Sequence, residues 1–242
     1  MTPNDTASQG HRSMNTTSPG DGARRHRPGY RPARARRSRR CSAAALLACC
    51  VALAGCASLV RPNYETELAE LREGQYTLDP THAYLLFKAD HLGLSKVVGR
   101  FDEIDASLDF DPEDVATLRL DGVVATASID TGDASLDDRL AGGDWLDAEA
   151  HPEARFTTTS VTPGEGDRFT VTGDFTLRGV TREITLDARF GGGADNLLTG
   201  RYTLGFEATG EISRSEYGID SFGALVGDAI ELEIHAEFQR EG

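Results

Sequence analysis

Apolar and polar residues alternate over most of the chain after Gln75. Leu85, Phe87 and Ala89 share one side of such a stretch. In residues 230–238, near the C-terminus, the even-numbered positions are all apolar and the odd-numbered positions are Glu or His. The apolar residues are Ile230, Leu232, Ile234, Ala236 and Phe238. Because successive side chains of a β-strand point to opposite faces, this period of two predicts strands with one buried and one solvated face.

Comparable stretches bring the number of predicted strands to about eight. They lie at about 99–110, 116–129, 154–162, 167–177, 182–190 and 199–212. Turn-forming residues separate them: Asp111-Pro112, Pro163-Gly164, Arg178-Gly179, Gly191-Gly192-Gly193 and Gly227-Asp228. A short helix is predicted within 133–146, capped by Asp133 and with Leu136 and Leu140 on one face. The pattern favours one all-β domain, either an antiparallel barrel or a sandwich.

A barrel of about eight strands has an interior that side chains fill or that holds one small ligand. Several small residues are predicted to face inward, where they would leave space: Ala89, Ala127, Gly173, Ala208, Gly210 and Ala236. This composition favours a cavity.

The first 55 residues differ sharply from the rest. They contain ten Arg, no Lys and two Asp, and an apolar run at 43–54 is too short to span a bilayer as a helix. A basic stretch before a short apolar core is typical of an export signal. The run ends in Leu53-Ala54-Gly55-Cys56, which resembles the lipobox of bacterial lipoproteins and implies cleavage before Cys56 and lipidation of its thiol. A buried core helix and an uncleaved anchor are the alternatives.

These features predict three regions: a signal segment (1–55), a lipidated tether (56–74) and a barrel domain (75–240). We expect an exported protein of the cell envelope, anchored to a membrane through lipid and facing the periplasm in a cell with two membranes. The oligomeric state is left open, with a homodimer as one alternative.

Removing the signal changes the charge of the protein. Basic residues fall from 25 to 15 and acidic residues from 39 to 37, so the net charge moves from −14 to −22. Such an acidic domain repels phosphate backbones, and we expect no nucleic-acid partner. All four cysteines (Cys41, Cys49, Cys50 and Cys56) lie in the signal or at its end. Disulfides, thiolate catalysis and Cys-ligated metals are therefore excluded for the mature chain.

Four segments spread over about 75–239 together resemble the YceI family of lipocalin-like proteins. The first runs from Tyr76 to Phe101 and includes Phe87-Lys88-Ala89-Asp90-His91-Leu92-Gly93-Leu94-Ser95. The second segment is Gly143-Asp144-Trp145-Leu146-Asp147, followed by His151-Pro152-Glu153-Ala154-Arg155-Phe156. The third is Gly173-Asp174-Phe175-Thr176-Leu177-Arg178-Gly179-Val180-Thr181. The fourth is Gly210-Glu211-Ile212-Ser213-Arg214, followed by Tyr217-Gly218-Ile219-Asp220.

The resemblance implies an eight-stranded antiparallel lipocalin-like β-barrel with a short helical excursion. It also implies a hydrophobic ligand, a polyisoprenoid-type lipid or quinone lying along the interior. No other cofactor is expected.

The candidate ligand-binding residues are aromatic or cationic. Five phenylalanines are interpreted as cavity wall or core: Phe87, Phe101, Phe156, Phe175 and Phe206. Trp145 is expected to plug the barrel end beneath the helix, to line the cavity mouth, or both.

Three polar residues are candidates to meet a ligand head group. His91 opens the His-Leu-Gly-Leu turn, Arg178 lies at a strand end, and Arg214 shares the apolar parity of its strand. An inward Arg needs a partner, which would be a carboxylate in a structural salt bridge or an anionic head group.

No catalytic or metal site is predicted. His82 and His91 lie nine residues apart, which on a continuous strand places them on opposite faces and roughly 30 Å apart. No nucleophile elbow, paired-carboxylate site or phosphate-binding loop occurs. The sequence therefore favours a lipid-binding protein for carriage, storage or sequestration. The alternatives are a non-catalytic envelope stress or interaction protein with a filled barrel, and a lipocalin-like enzyme acting on a hydrophobic substrate.

Overall fold

A computed structural model describes residues 64–242. Its strands are β1 (Gly74–His91), β2 (Ser95–Phe101), β3 (Ile104–Phe110), β4 (Arg119–Ala125), β5 (Ile129–Asp130), β6 (Glu153–Pro163), β7 (Arg168–Leu177), β8 (Val180–Asp195), β9 (Tyr202–Ser213) and β10 (Val226–Arg240). The α-helix α1 (Ala134–Ala141) is joined by 3₁₀ turns at Leu68–Glu70, Val115–Thr117, Thr126–Ser128 and Arg214–Tyr217. The predicted signal segment and Cys56 lie outside the described residues.

The strands close into an antiparallel barrel. They lie side by side in the order β10-β9-β8-β7-β6-β4-β3-β1, and β1 pairs again with β10. The start of β1 pairs with β3 and its end with β2, while β5 pairs with β2. Together, β2 and β3 form one interrupted strand of the barrel wall, and β4 and β5 form another. The ten segments therefore make eight barrel strands. The predicted fold class is confirmed.

The alternating sequence determines which face of each strand is buried. Phe87 of β1 stands opposite Leu232 of β10, and Ala89 stands opposite Ile230, so their apolar side chains share the inner face. The intervening Lys88 stands opposite Glu231 on the outside. The inner faces together bury the core.

Two predicted turns are wrong. Gly191-Gly192-Gly193 lies within β8, where a bulge follows Phe190 and where a Cβ on Gly191 would lie 3.3 Å from the carbonyl oxygen of Gly205. Glycine is needed there for close backbone approach, not for a turn. Gly227-Asp228 likewise belongs to β10, and the chain turns earlier, between Ser213 and Val226.

The helix begins as predicted. The Asp133 side chain accepts a hydrogen bond from the Ser135 N–H at 2.9 Å, which caps the first turn. Residues 134–152 cover the side of the barrel where β5 ends without a pairing to β6. Within residues 64–242, no helix is both long and apolar enough to cross a membrane.

The end of the barrel where β1 starts and β10 finishes is closed by a buried cluster that includes Tyr76, Phe110 and Leu204. We call it the closed end. The chain that precedes β1 docks here: Glu65 and Gly193 exchange two backbone hydrogen bonds of 2.8 Å.

Candidate functional site

The barrel encloses a cavity of about 650 Å³. Its wall consists mainly of the apolar inner faces of the strands, and Leu136 and Leu140 of α1 add to it. This volume lies in the range of sites that enclose a small organic ligand. The cavity wall on β10 begins at Val226, and its part from Ile230 to Phe238 alone covers about 26 Å along the strand at 3.3 Å per residue.

The cavity ends on a cluster of phenylalanine rings at the closed end. The ring of Phe206 makes edge-on contacts with four others, at centroid distances of 6.4 Å to Phe110, 6.1 Å to Phe169, 5.5 Å to Phe190 and 5.8 Å to Phe238. Edge-to-face aromatic contacts stabilise such a cluster beyond the burial of its area. We therefore regard this cluster as the floor of the cavity.

The cavity meets solvent at the opposite end, where four exposed residues from the end of β1, from α1 and from the β9–β10 connection line it. They are His91, Arg139, Phe222 and Leu225. Phe222 and Leu225 are 51 % and 46 % exposed, which is high for large apolar side chains at a cavity. We call this opening the mouth.

Trp145 closes part of the mouth. Its ring is stacked on that of Phe222, with centroids 6.1 Å apart and planes 10° from parallel. The indole Nε1 is buried without a hydrogen-bond partner in the described part of the chain. An unpaired buried donor costs about 1–3 kcal/mol, and because this atom is buried, it does not face the open part of the cavity.

Arg214 lies in the cavity wall and is 4 % exposed. Its Nε donates to Gly227 O at 2.9 Å, its Nη2 to Val226 O at 3.0 Å, and its Nη1 to the carbonyls of Ile219 and Ser221. Within residues 64–242 it forms no ion pair, so backbone carbonyls take the place of the expected salt bridge. The Arg214 guanidinium also lies 5.4 Å from the Trp145 ring.

Arg178 is placed differently. It is absent from the residues that line the cavity, and its Nη1 donates to the Trp145 carbonyl. Arg178 adopts a left-handed backbone conformation (φ 49°) in the β7–β8 turn. Its guanidinium therefore supports the segment that carries Trp145.

All the other predicted ligand-binding residues line one cavity: Phe87, His91, Phe101, Trp145, Phe156, Phe175, Phe206 and Arg214. Phe87 lies 5.9 Å from Phe101, and Phe175 packs edge-on against Tyr217. Their part in binding stays a prediction. The sequence interpretation missed Phe222, because it lies in the irregular segment before β10, where no periodicity marks an inward position.

The small inward residues divide into two groups. Ala89, Ala208 and Ala236 line the cavity as predicted. Gly173 and Gly210 instead receive neighbouring side chains, since a Cβ on Gly210 would lie 2.5 Å from the Leu186 side chain. Ala127 lies in a 3₁₀ turn outside the cavity wall.

A polar cluster around the buried Asp79 carboxylate lies at the β1 bulge, away from the cavity. Asp79 accepts hydrogen bonds from Thr81, from His82 Nδ1 at 3.0 Å and from Gln239 Nε2 at 2.7 Å. Burial alone would raise the pKa of Asp79, but these hydrogen bonds outweigh it and lower the pKa to about 2. The His82–Asp79 hydrogen bond raises the pKa of His82. Ligand atoms of Asp79, His82 and Glu237 lie within 4.8 Å of one another, yet the Asp79 oxygens already have protein donors.

Known proteins resemble this chain over the barrel. Residues 76–238 match the YceI-like domain family. A UPF0312 protein of Staphylococcus aureus (strain N315) is 34% identical over 169 residues, which cover 67% of this chain and 96% of that protein. The YceI protein of Campylobacter jejuni is 31% identical, with a TM-score of 0.57 over 63% of this chain and 90% of that one. Burkholderia cenocepacia BcnA shares the fold at 24% identity, with a TM-score of 0.61 over 66% of this chain and 98% of that one.

Proposed function

This chain belongs to the YceI-like domain family, and on that basis we propose that its barrel binds one long apolar lipid, an isoprenoid chain or a prenylated quinone. The observation that carries the proposal is the 650 Å³ cavity with its apolar wall. A barrel with a filled interior would leave no such space. Each CH₂ group that moves from water into the cavity contributes about 0.8 kcal/mol.

The arrangement of the cavity gives the ligand a direction. Its tail lies on the phenylalanine floor around Phe206, and its head group lies at the mouth. The polar side chains His91, Arg139 and Arg214 line the cavity at that end, and their N–H groups suit a carbonyl, hydroxyl or phosphate oxygen.

We further propose that the protein is exported and anchored in the cell envelope through lipid on Cys56. The basic N-terminus, the short apolar run and the Leu-Ala-Gly-Cys sequence support this location. A non-catalytic protein that binds a lipid and is held at a membrane would carry, store or sequester that lipid.

Trp145 provides the test, because it is the only tryptophan of the chain and lines the cavity. We expect its fluorescence to be quenched by a prenylated quinone added to residues 57–242, in a saturable titration. The Ala208→Phe variant adds a ring at an inward position that lines the cavity and should weaken binding about tenfold or more.

The matched control is Thr209→Phe, which adds the same bulk at the neighbouring exposed position. Its affinity should equal that of the unaltered protein. Quenching that does not saturate, or that both variants leave unchanged, would contradict binding inside the barrel.

A further inference from the structure

Two adjacent leucines project from the closed end. Leu197 and Leu198, in the β8–β9 turn, are 67% and 97% exposed. Tyr64, where the described chain begins, is 65% exposed. Large apolar side chains at a loop tip are costly in water, so they suggest a surface that is covered in the working protein. The mouth also carries exposed apolar side chains, such as Leu94 and Phe222, so the N-terminal chain must decide between the two ends.

The N-terminal chain reaches the barrel beside this tip. Glu65 pairs with Gly193 of β8 through two backbone hydrogen bonds of 2.8 Å. The Arg72 guanidinium then donates two hydrogen bonds of 2.8 Å to the carboxylate of Asp195, the last residue of β8. Since Asp195 comes two residues before Leu197, the described chain begins, at Tyr64, at the end of the barrel that carries the leucines.

The reach of that chain limits how the barrel can stand on a membrane. Eight peptide steps separate Cys56 from Tyr64, and they span at most about 29 Å when fully extended. The 15 residues of β10 extend about 50 Å, which a strand tilt of 35–45° reduces to about 35–40 Å along the barrel axis. A barrel resting upright on its mouth would hold Tyr64 farther from the membrane than lipid on Cys56 allows.

We propose that the closed end of the barrel rests on the membrane, with Leu197 and Leu198 inserted into the lipid and the mouth facing away. This inference rests on the lipidation of Cys56 proposed above. The exposed Arg201, just after the leucine tip, suits the phosphate layer of such a surface. The ligand then enters and leaves on the side opposite the anchoring membrane, so it is exchanged with a carrier or membrane on that far side.

The experiment uses the full chain, exported and lipidated by a bacterial host. Because the mature chain has no thiol other than Cys56, Leu198→Cys provides a unique labelling site at the closed end. Leu94→Cys is the matched variant, since Leu94 is also exposed, at 83%, in the β1–β2 turn beside the mouth. Each variant is labelled with an environment-sensitive dye and reconstituted in phosphatidylcholine vesicles that contain a brominated lipid quencher.

We expect the label at position 198 to be quenched at least threefold more than the label at position 94. Equal quenching at both positions, or stronger quenching at 94, would overturn the proposal. Flotation of the vesicles tests the anchoring separately. Protein that does not float with the vesicles lacks the lipid anchor, and that result would also overturn the proposed orientation of the barrel. Ligand uptake by residues 57–242 is unaffected by either result, so lipid binding is tested independently.

Discussion

At the scale of single residues, glycines in the barrel wall decide where side chains can lie. A Cβ on Gly173 would lie 2.4 Å from the Phe156 ring and 2.6 Å from the Thr157 carbonyl oxygen. A Cβ on Gly99 would lie 2.5 Å from the ring of Phe87. The missing Cβ atoms of these glycines therefore make room for phenylalanine rings that line the cavity, and the space is filled by the rings.

Gly173→Ala should destabilise the barrel by about 1–3 kcal/mol, because neither the ring nor the carbonyl can move away freely. Gly122 is the matched control. It lies on β4 in the cavity wall, and a Cβ there would meet nothing within 4 Å. Urea denaturation measures both free energies of unfolding, and an equal cost for the two variants would contradict the seating role of Gly173.

The Asp79 carboxylate makes stability depend on pH in the acidic range. Its pKa is about 2 in the folded protein, below the usual value of about 3.9 for an unfolded chain. The unfolded state therefore binds the proton more readily, so the stabilisation is complete above about pH 4 and is lost as the pH falls through 2. The contribution is about 2 kcal/mol for this buried group, which is 8% exposed.

Asp79→Asn should remove that contribution, so the variant loses less stability than the parent between pH 5 and pH 2. Urea denaturation across this range measures the difference. Asp187→Asn, at an exposed carboxylate on β8, is the control and should follow the parent curve. A pH dependence unchanged in Asp79→Asn would show that the cluster does not hold a charged carboxylate.

At the scale of elements, the mouth is assembled from segments that touch at a few points. The segment after α1 meets the β9–β10 connection through the stacked rings of Trp145 and Phe222. That connection meets the β1–β2 turn through a 2.9 Å hydrogen bond from Leu92 N–H to Leu225 O. Phe222 holds a left-handed conformation (φ 56°), an unfavourable one for a bulky residue. Such a position persists where its contacts compensate for the cost.

Phe222→Ala should therefore speed the release of bound lipid about fivefold, which corresponds to about 1 kcal/mol of lost stacking. The measurement is the rate at which a prenyl ligand passes from residues 57–242 to acceptor vesicles. Val98→Ala is the control, since Val98 is equally exposed, at 50%, on β2 but lies outside the cavity wall. An unchanged release rate in Phe222→Ala would mean that lipid leaves by another route.

The elements also show what the sequence can predict. The strands follow from the alternation, as in β10, because burial of one face imposes a period of two. The bulge at Gly191 could not be predicted, because a glycine run is equally typical of a turn and of close-packed strands. The backbone carbonyls that accept hydrogen bonds from Arg214 could not be predicted either, because backbone acceptors are present at every residue and no sequence pattern identifies them.

At the scale of the whole molecule, the two ends of the barrel have different tasks. The closed end has a phenylalanine floor inside and receives the N-terminal chain outside, while the other end opens between α1 and the β9–β10 connection. In our account, the closed end holds the ligand tail and faces the anchoring membrane, and the mouth exchanges the ligand. Residues 56–242 carry a net charge of −22, which disfavours contact with anionic surfaces, so the proposed attachment relies on apolar and covalent lipid contacts.

Native mass spectrometry of residues 57–242, purified from a bacterial host without detergent and then extracted with organic solvent, tests the central claim most directly. We predict a one-to-one adduct that extracts as a prenyl chain or prenylated quinone. A bare mass that takes up no added polyprenyl lipid would contradict lipid binding and favour an envelope interaction protein.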